Sequence, residues 1–233
     1  NSKLFREYED TLKIVASKIM YAKSEEEKNK SNKYFIETLS EVLSYEKAFS
    51  FPFDSLITIS RIYSPDNTFR IFTWILEKDN GNFTYYGIVH YHNKKRKKYE
   101  TIHLIDNSDN IRNPKEKELN ANNWYGGLYY DIIYIKKNGR KFYTLLAWDG
   151  NDGYSTRKII DAMYFSGKNK IKFGLPIFKE DKNITHKRVI LEYDSKSTIT
   201  MRYDEKEERI TFNHLMPARK DLLGLEEFYI PDG

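Results

Sequence analysis

The chain has 233 residues, with 39 lysines and arginines against 34 aspartates and glutamates, a formal charge of +5. That length is enough to bury roughly 70% of the unfolded surface, and 19 tyrosines with 14 phenylalanines are too much packing material for a disordered chain. The mild, dispersed charge makes no demand for nucleic acid, the lack of cysteine excludes disulfides and thiolate chemistry, and no apolar run approaches the roughly 18 residues of a membrane span.

From Leu4 to Met20 the apolar residues Leu4, Phe5, Tyr8, Leu12, Val15, Ala16, Ile19 and Met20 recur at helical spacing, with charges on the opposite face, which predicts an amphipathic helix. Ser24-Glu25-Glu26-Glu27 then places a glutamate three residues after a serine, the capping box that opens a helix. The second helix carries a stripe of Phe35, Leu39, Val42 and Leu43, so the two form a hairpin. Phe49, Phe51, Pro52 and Phe53 end it with an aromatic, proline-interrupted bridge suited to docking helices on a sheet.

Beyond the bridge the period changes to two, and β-branched and aromatic runs alternate with turn clusters. Strands are expected near 57–63, 68–76, 83–92, 98–105, 128–136, 140–148, 157–165, 170–178, 187–194, 197–204 and 208–215, with a helix over 157–163 as the rival reading. Turns fall at Ser64-Pro65-Asp66-Asn67, Asp79-Asn80-Gly81-Asn82, Asn138-Gly139, Ser166-Gly167-Lys168-Asn169 and Asp204-Glu205-Lys206-Glu207. Asn138-Gly139 is the sharpest, because both central residues of a tight primed turn need positive φ. The widest gap, 106–123, is a polar loop.

Consecutive hairpins without strand-helix-strand alternation disfavour a parallel α/β fold. The expected class is α+β: an N-terminal helical hairpin over 1–48, packed on a large antiparallel β meander over 49–233, as one integrated unit. The meander is a barrel or a sandwich, with propeller-like blades as the alternative.

The stretch Ala147-Trp148-Asp149-Gly150-Asn151-Asp152-Gly153 invites a calcium reading, but a calcium loop needs glycine sixth and a bidentate acid twelfth, where this chain has Tyr154 and Ile160. Asp149, Asp152 and Asp161 are candidate carboxylates for a hydrolase, whose acids must face each other across a cleft. His90 and His92 lie two apart on one strand, and His103 on the next could join them as zinc ligands. The flanking run Lys94-Lys95-Arg96-Lys97-Lys98 repels cations and reads as a solvated hairpin tip or as a contact for an anionic partner. Trp124-Tyr125-Gly126-Gly127-Leu128-Tyr129-Tyr130 places rings beside glycines, either as an accessible stacking platform or as aromatic core. No phosphate loop, dinucleotide fingerprint or nucleophile elbow occurs, and no cofactor is implied.

The order of the blocks FPFDSL, YSPDNTFRIFTW, WYGGLYYDII, KFYTLLAWDGND, KIIDAMYF, KFGLPIF, RVILEY and MRYDEKEERITFNHL resembles an uncharacterised family of exported hypothetical proteins from Bacteroidetes, from about residue 45 onward. The resemblance implies a leader ahead of the helices, in keeping with a first residue that is asparagine. It also implies a periplasmic, cell-surface or secreted setting and a short tail beyond Pro231-Asp232-Gly233. It assigns no activity or residue role.

The expected function is a non-catalytic exported or cell-envelope binding module for a glycan or another surface partner, with Trp124, Tyr125, Tyr129, Trp148 and Asp149 as ligand-binding candidates. The alternatives are a carboxylate-dependent hydrolase acting on glycans through Asp149, Asp152 and Asp161, and a structural or assembly protein whose charged helices or basic hairpin meet an envelope protein.

Overall fold

In the computed structural model, residues 2–167 and 170–232 are described, so the turn expected at Ser166-Gly167-Lys168-Asn169 lies partly outside them. Helices α1 (Ser2–Tyr21) and α2 (Glu25–Leu43) form the antiparallel hairpin. The Ser24 hydroxyl accepts the Glu27 N–H at 3.2 Å, capping α2 and satisfying one of its orphan amides.

The β region builds two main antiparallel sheets. The first runs in chain order through β1 (Ser60–Tyr63), β2 (Phe69–Glu77), β3 (Phe83–Asn93) and β4 (Lys98–Ile105). The second joins β5 (Leu119–Asn120), β6 (Leu128–Lys137), β7 (Arg140–Asp149), β8 (Ser155–Ser166) and β9 (Lys170–Phe173) in the order β5-β9-β8-β7-β6. After the hairpin of β10 (Phe178–Asp181) and β11 (Ile184–His186), β12 (Arg188–Asp194) returns to pair with β8. Two further hairpins close the chain, β13 (Met201–Asp204) with β14 (Arg209–Phe212), and β15 (Leu215–Pro217) with β16 (Tyr229–Pro231).

Strand alternation turns these sheets into layers. On β2, Phe69 and Ile71 face the second sheet, where they meet Tyr129, Leu145, Ile159 and Phe173. Phe72, Trp74 and Leu76 face the other way, onto Leu12, Phe35 and Leu39 of the helices. Each such buried ring or leucine contributes about 1.5–3 kcal/mol. A third cluster of Ile133, Leu146, Ile160 and Met201 lies on the far face of the second sheet, under Tyr203 and Ile210 of the β13–β14 hairpin. The arrangement is therefore a sandwich with one helix-covered face and one hairpin-covered face, and among the described residues there is neither a closed barrel nor a set of blades.

The segment 157–163, open to a helical reading, lies within β8, paired with β7 on one side and β12 on the other. The run expected over 170–178 breaks at Gly174, whose φ of +86° turns the chain out of β9. The run 208–215 likewise divides between β14 and β15, 197–204 shortens to β13, and 57–63 shortens to β1.

Candidate functional site

The Ala147–Gly153 stretch is where the two sheets are tied at one end. Tyr85 on β3 donates its hydroxyl to Asp149 Oδ1 at 2.7 Å and accepts the Gly150 N–H at 2.8 Å. Asp149 also accepts the Asn151 N–H at 2.8 Å, and Asp152 accepts the Tyr154 and Ser155 N–H groups, the bonding by which aspartates organise turns. Gly150 is required by space, since a Cβ there would come within 2.5 Å of the Phe83 ring. Burial raises the Asp149 carboxyl above its usual range, opposed first by the Tyr85 hydrogen bond.

Asp161 lies between the sheets, bonded to Arg188 Nε at 2.7 Å, with both side chains buried. Burial again pushes its carboxyl up, opposed by the charge and hydrogen bond of Arg188. Asp149 pairs in register with Arg157, and Asp161 with Leu145, so the two acids stand four rungs apart, about 13 Å at ~3.3 Å per residue. Two carboxyls working on one glycosidic bond stand at most about 9.5 Å apart. With Asp152 in the turn, the three acids do not share a cleft.

The rings are also accounted for by packing. Trp124 and Tyr129 are fully buried, joined by a 2.7 Å bond from the indole N–H to the tyrosine hydroxyl, so their faces are enclosed in the core. Trp148 is half-buried against Phe83. Tyr125 is buried too, but its hydroxyl is 3.4 Å from Arg157 and it walls a recess on the surface.

The three histidines share one face of the first sheet and do not converge. His90 is buried beside Arg70, which donates to its Nδ1 at 3.3 Å, and burial followed by the Arg70 charge lowers its pKa to about 3, keeping it neutral. His103 meets Ser40 of α2 at 3.3 Å, and His92 is exposed against Tyr99. Among the described residues no group of three His, Asp or Glu is placed to hold a metal. The basic run caps the β3–β4 hairpin, with Arg96 and Lys98 bridged to Glu100.

A concavity that the sequence did not signal lies elsewhere, along β12. It is a groove of about 480 Å³ lined by five consecutive β12 residues, Arg188 to Glu192. Phe178 of β10, the stretch Phe212–Leu215 and the stretch from Glu226 to Tyr229 supply the other walls. A second recess of about 380 Å³ shares Lys115, Ile190, Glu192 and Glu226 with it and adds Tyr125 and Arg157. At the Arg188 end, His186 is held between Glu116 and Glu180, Nδ1 to Glu116 and Nε2 to Glu180 at 2.5 Å. Contacts with Glu180 and then Glu116 raise its pKa.

The phase of the β12–β8 ladder follows from its end. Ser195 donates to Tyr154 O at 2.9 Å, one residue beyond the Asp194–Ser155 pair, which makes that pair non-hydrogen-bonded. Alternation then sends the backbone N–H and C=O of Val189, Leu191 and Tyr193 inward to β8, and those of Arg188, Ile190 and Glu192 outward. Among the described residues nothing pairs with those outward groups. Lys187 N–H, just before them, already donates to Lys115 O at 2.8 Å.

No sequence motif marked this groove, because its walls come from five separate stretches. The one local signal is Arg188-Val189-Ile190-Leu191-Glu192 itself, an apolar run flanked by charges that reads as a strand and not as an edge. No family model, curated protein or solved structure matches the chain.

Proposed function

We propose that the protein is a non-catalytic binding module whose ligand occupies the groove along β12. One observation carries the reading: a largely apolar groove of about 480 Å³ runs along β12, within the usual size range of ligand sites. Its lining combines the apolar Phe178, Val189, Leu191 and Phe212 with Lys115, Lys179 and Glu226, the mix that gives affinity from burial and orientation from polar groups. Of the residues singled out from the sequence, Tyr125 borders the adjoining recess, and Asp149 stands behind it, 3.8 Å from Arg157. The resemblance to exported proteins supports a periplasmic, cell-surface or secreted setting.

The test is an amide-shift screen of the labelled protein against short peptides, oligosaccharides and apolar fragments. The expected result is perturbation confined to residues 188–192 and 212–215 that disappears in Phe212→Ala, a change at a ring 46% exposed and so of small cost to the fold. A screen in which no class of compound perturbs the groove overturns the proposal.

A further inference from the structure

Resting on that reading, we infer that the ligand is a free fatty acid, a single-chain carboxylate whose hydrocarbon tail completes the third apolar cluster. Alternation along β12 decides which side is open. Arg188 and Ile190 are buried, whereas Val189 and Leu191, on the opposite face, are only half-buried. That face belongs to the third cluster, in which Ile133, Leu146, Ile160 and Met201 are buried while Phe178, Tyr203 and Ile210 are, like Val189 and Leu191, only partly so. Two hollows open onto it. One is the groove of about 480 Å³ beside Val189 and Leu191. The other, of about 570 Å³, lies between Ile133 and Ile135 of β6 and Tyr203 and Ile210 of the β13–β14 hairpin. Phe178 lines both, so they meet at that residue as one elongated, largely apolar trough. A cavity of about 150 Å³ holds a benzene, and by that measure the groove alone has room for roughly 15–20 non-hydrogen atoms. An unbranched chain can bend past the Phe178 ring from one hollow to the next, which a rigid ring system of that size cannot do.

Charge fixes the head group and the end at which it sits. Of the charged side chains lining the groove, His186 is held by Glu180, Arg188 by Asp161, Glu192 by Arg157 and His214 by Asp232. Lys115, Lys179 and Glu226 are left without an ion pair among the described residues. Two cations against one acid leave a surplus of one positive charge, which matches a singly charged carboxylate. Lys115 is also fixed beside β12, because its carbonyl accepts the Lys187 N–H at 2.8 Å. The other hollow carries Lys136 and Glu208, one of each sign, and has no such preference. The carboxylate therefore belongs in the groove and the end of the tail in the hollow under Tyr203 and Ile210.

The experiment titrates the intact protein by calorimetry with octanoate, decanoate, dodecanoate and tetradecanoate, each as monomers in solution, and with octanol and decanol. Affinity should rise about fourfold for each added methylene until the trough is full, and then level off. Ile210→Trp, which fills the far hollow from a half-buried position, should bring the levelling to a shorter chain. Each acid should bind at least about fivefold more tightly than the alcohol of the same length. Lys115→Gln combined with Lys179→Gln should erase that difference without weakening the alcohols, and Glu226→Gln should widen it. Affinity that does not depend on chain length, or acids that bind no better than alcohols, overturns the inference whether or not any variant folds. Binding to phosphatidylglycerol vesicles but not to the monomeric acids also overturns it, in favour of a membrane surface. If the acids fail while peptides or oligosaccharides still shift the amides of residues 188–192, the fatty acid is wrong and the binding module stands. If nothing shifts them, both fall.

Discussion

Two fully buried arginines, one in each main sheet, are handled in opposite ways. Arg70 on β2 faces the helices and has no carboxylate partner among the described residues. It donates to the carbonyls of Ala48 and Phe51 at 2.6 and 2.7 Å and to the Tyr63 hydroxyl at 2.8 Å, with its guanidinium against the Phe72 and Phe53 rings. Arg188 on β12 binds Asp161 and the Pro114 carbonyl, and its Nη2 is buried without a partner among the described residues. The helix-covered face is thus closed by neutral dipoles that come with the backbone. The β12 margin is held by an ion pair, and it is the margin where cover is piecemeal and a groove remains.

The difference predicts unequal costs. Removing one partner of a buried pair strands a charge and costs about 3–5 kcal/mol, while replacing both with apolar groups is often neutral. Arg188→Met should therefore lower stability in urea unfolding by about that amount, and Arg188→Met with Asp161→Leu should recover most of it. Equal losses in the single and double variants would show that the pair matters through packing alone.

Arg70→Met should cost less, about 2–4 kcal/mol, because it leaves unpaired carbonyls and no stranded charge, and it relieves the burial that lowers the Arg70 pKa to about 10. Its effect should also be local, with faster amide exchange in the bridge 46–53 while the second sheet keeps its protection. A loss larger than that of Arg188→Met would reverse the comparison.

The same contrast explains what was legible in the sequence. Local signals translated directly: the Ser24 cap is made, the helical stripes are buried, and Asn138 and Gly139 both have positive φ, 51° and 74°. Features that depend on pairing distant in sequence were not legible. Leu119 and Asn120, inside the polar loop, pair with Phe173 and Lys172 of β9, and no period announces a two-residue strand. The ring-and-glycine stretch at Trp124 was open between platform and core because the deciding facts are tertiary. Gly126 is small because a Cβ would meet Asp106 and Tyr85 at 2.7 Å, and the Trp124 N–H is satisfied five residues on by Tyr129. The groove lay furthest from reach, since its walls come from stretches far apart in the sequence, which composition and periodicity do not encode.

The smallest expected effect is at the groove's Arg188 end and concerns pH. His186 joins the β10–β11 hairpin to the turn at 114–116 through Glu180 and Glu116, with Lys115, Lys179 and Lys187 on the same three segments. An imidazolium donates from both ring nitrogens, and a neutral ring can donate from only one, so deprotonation leaves one glutamate facing a lone pair. The glutamates raise the His186 pKa above its ordinary 6.5. Its contribution is therefore complete below the unfolded value and is lost as pH rises through the higher folded value. Amide exchange across Phe178–His186, corrected for intrinsic chemistry, should be slower at about pH 6 than at about pH 8.5, and His186→Gln should flatten the difference. A hairpin whose protection is the same at both pH values in the unmodified protein would show that the cover over this end of β12 is held by packing, as it is on the helix side, and the contrast between the two margins would narrow to the ion pair alone.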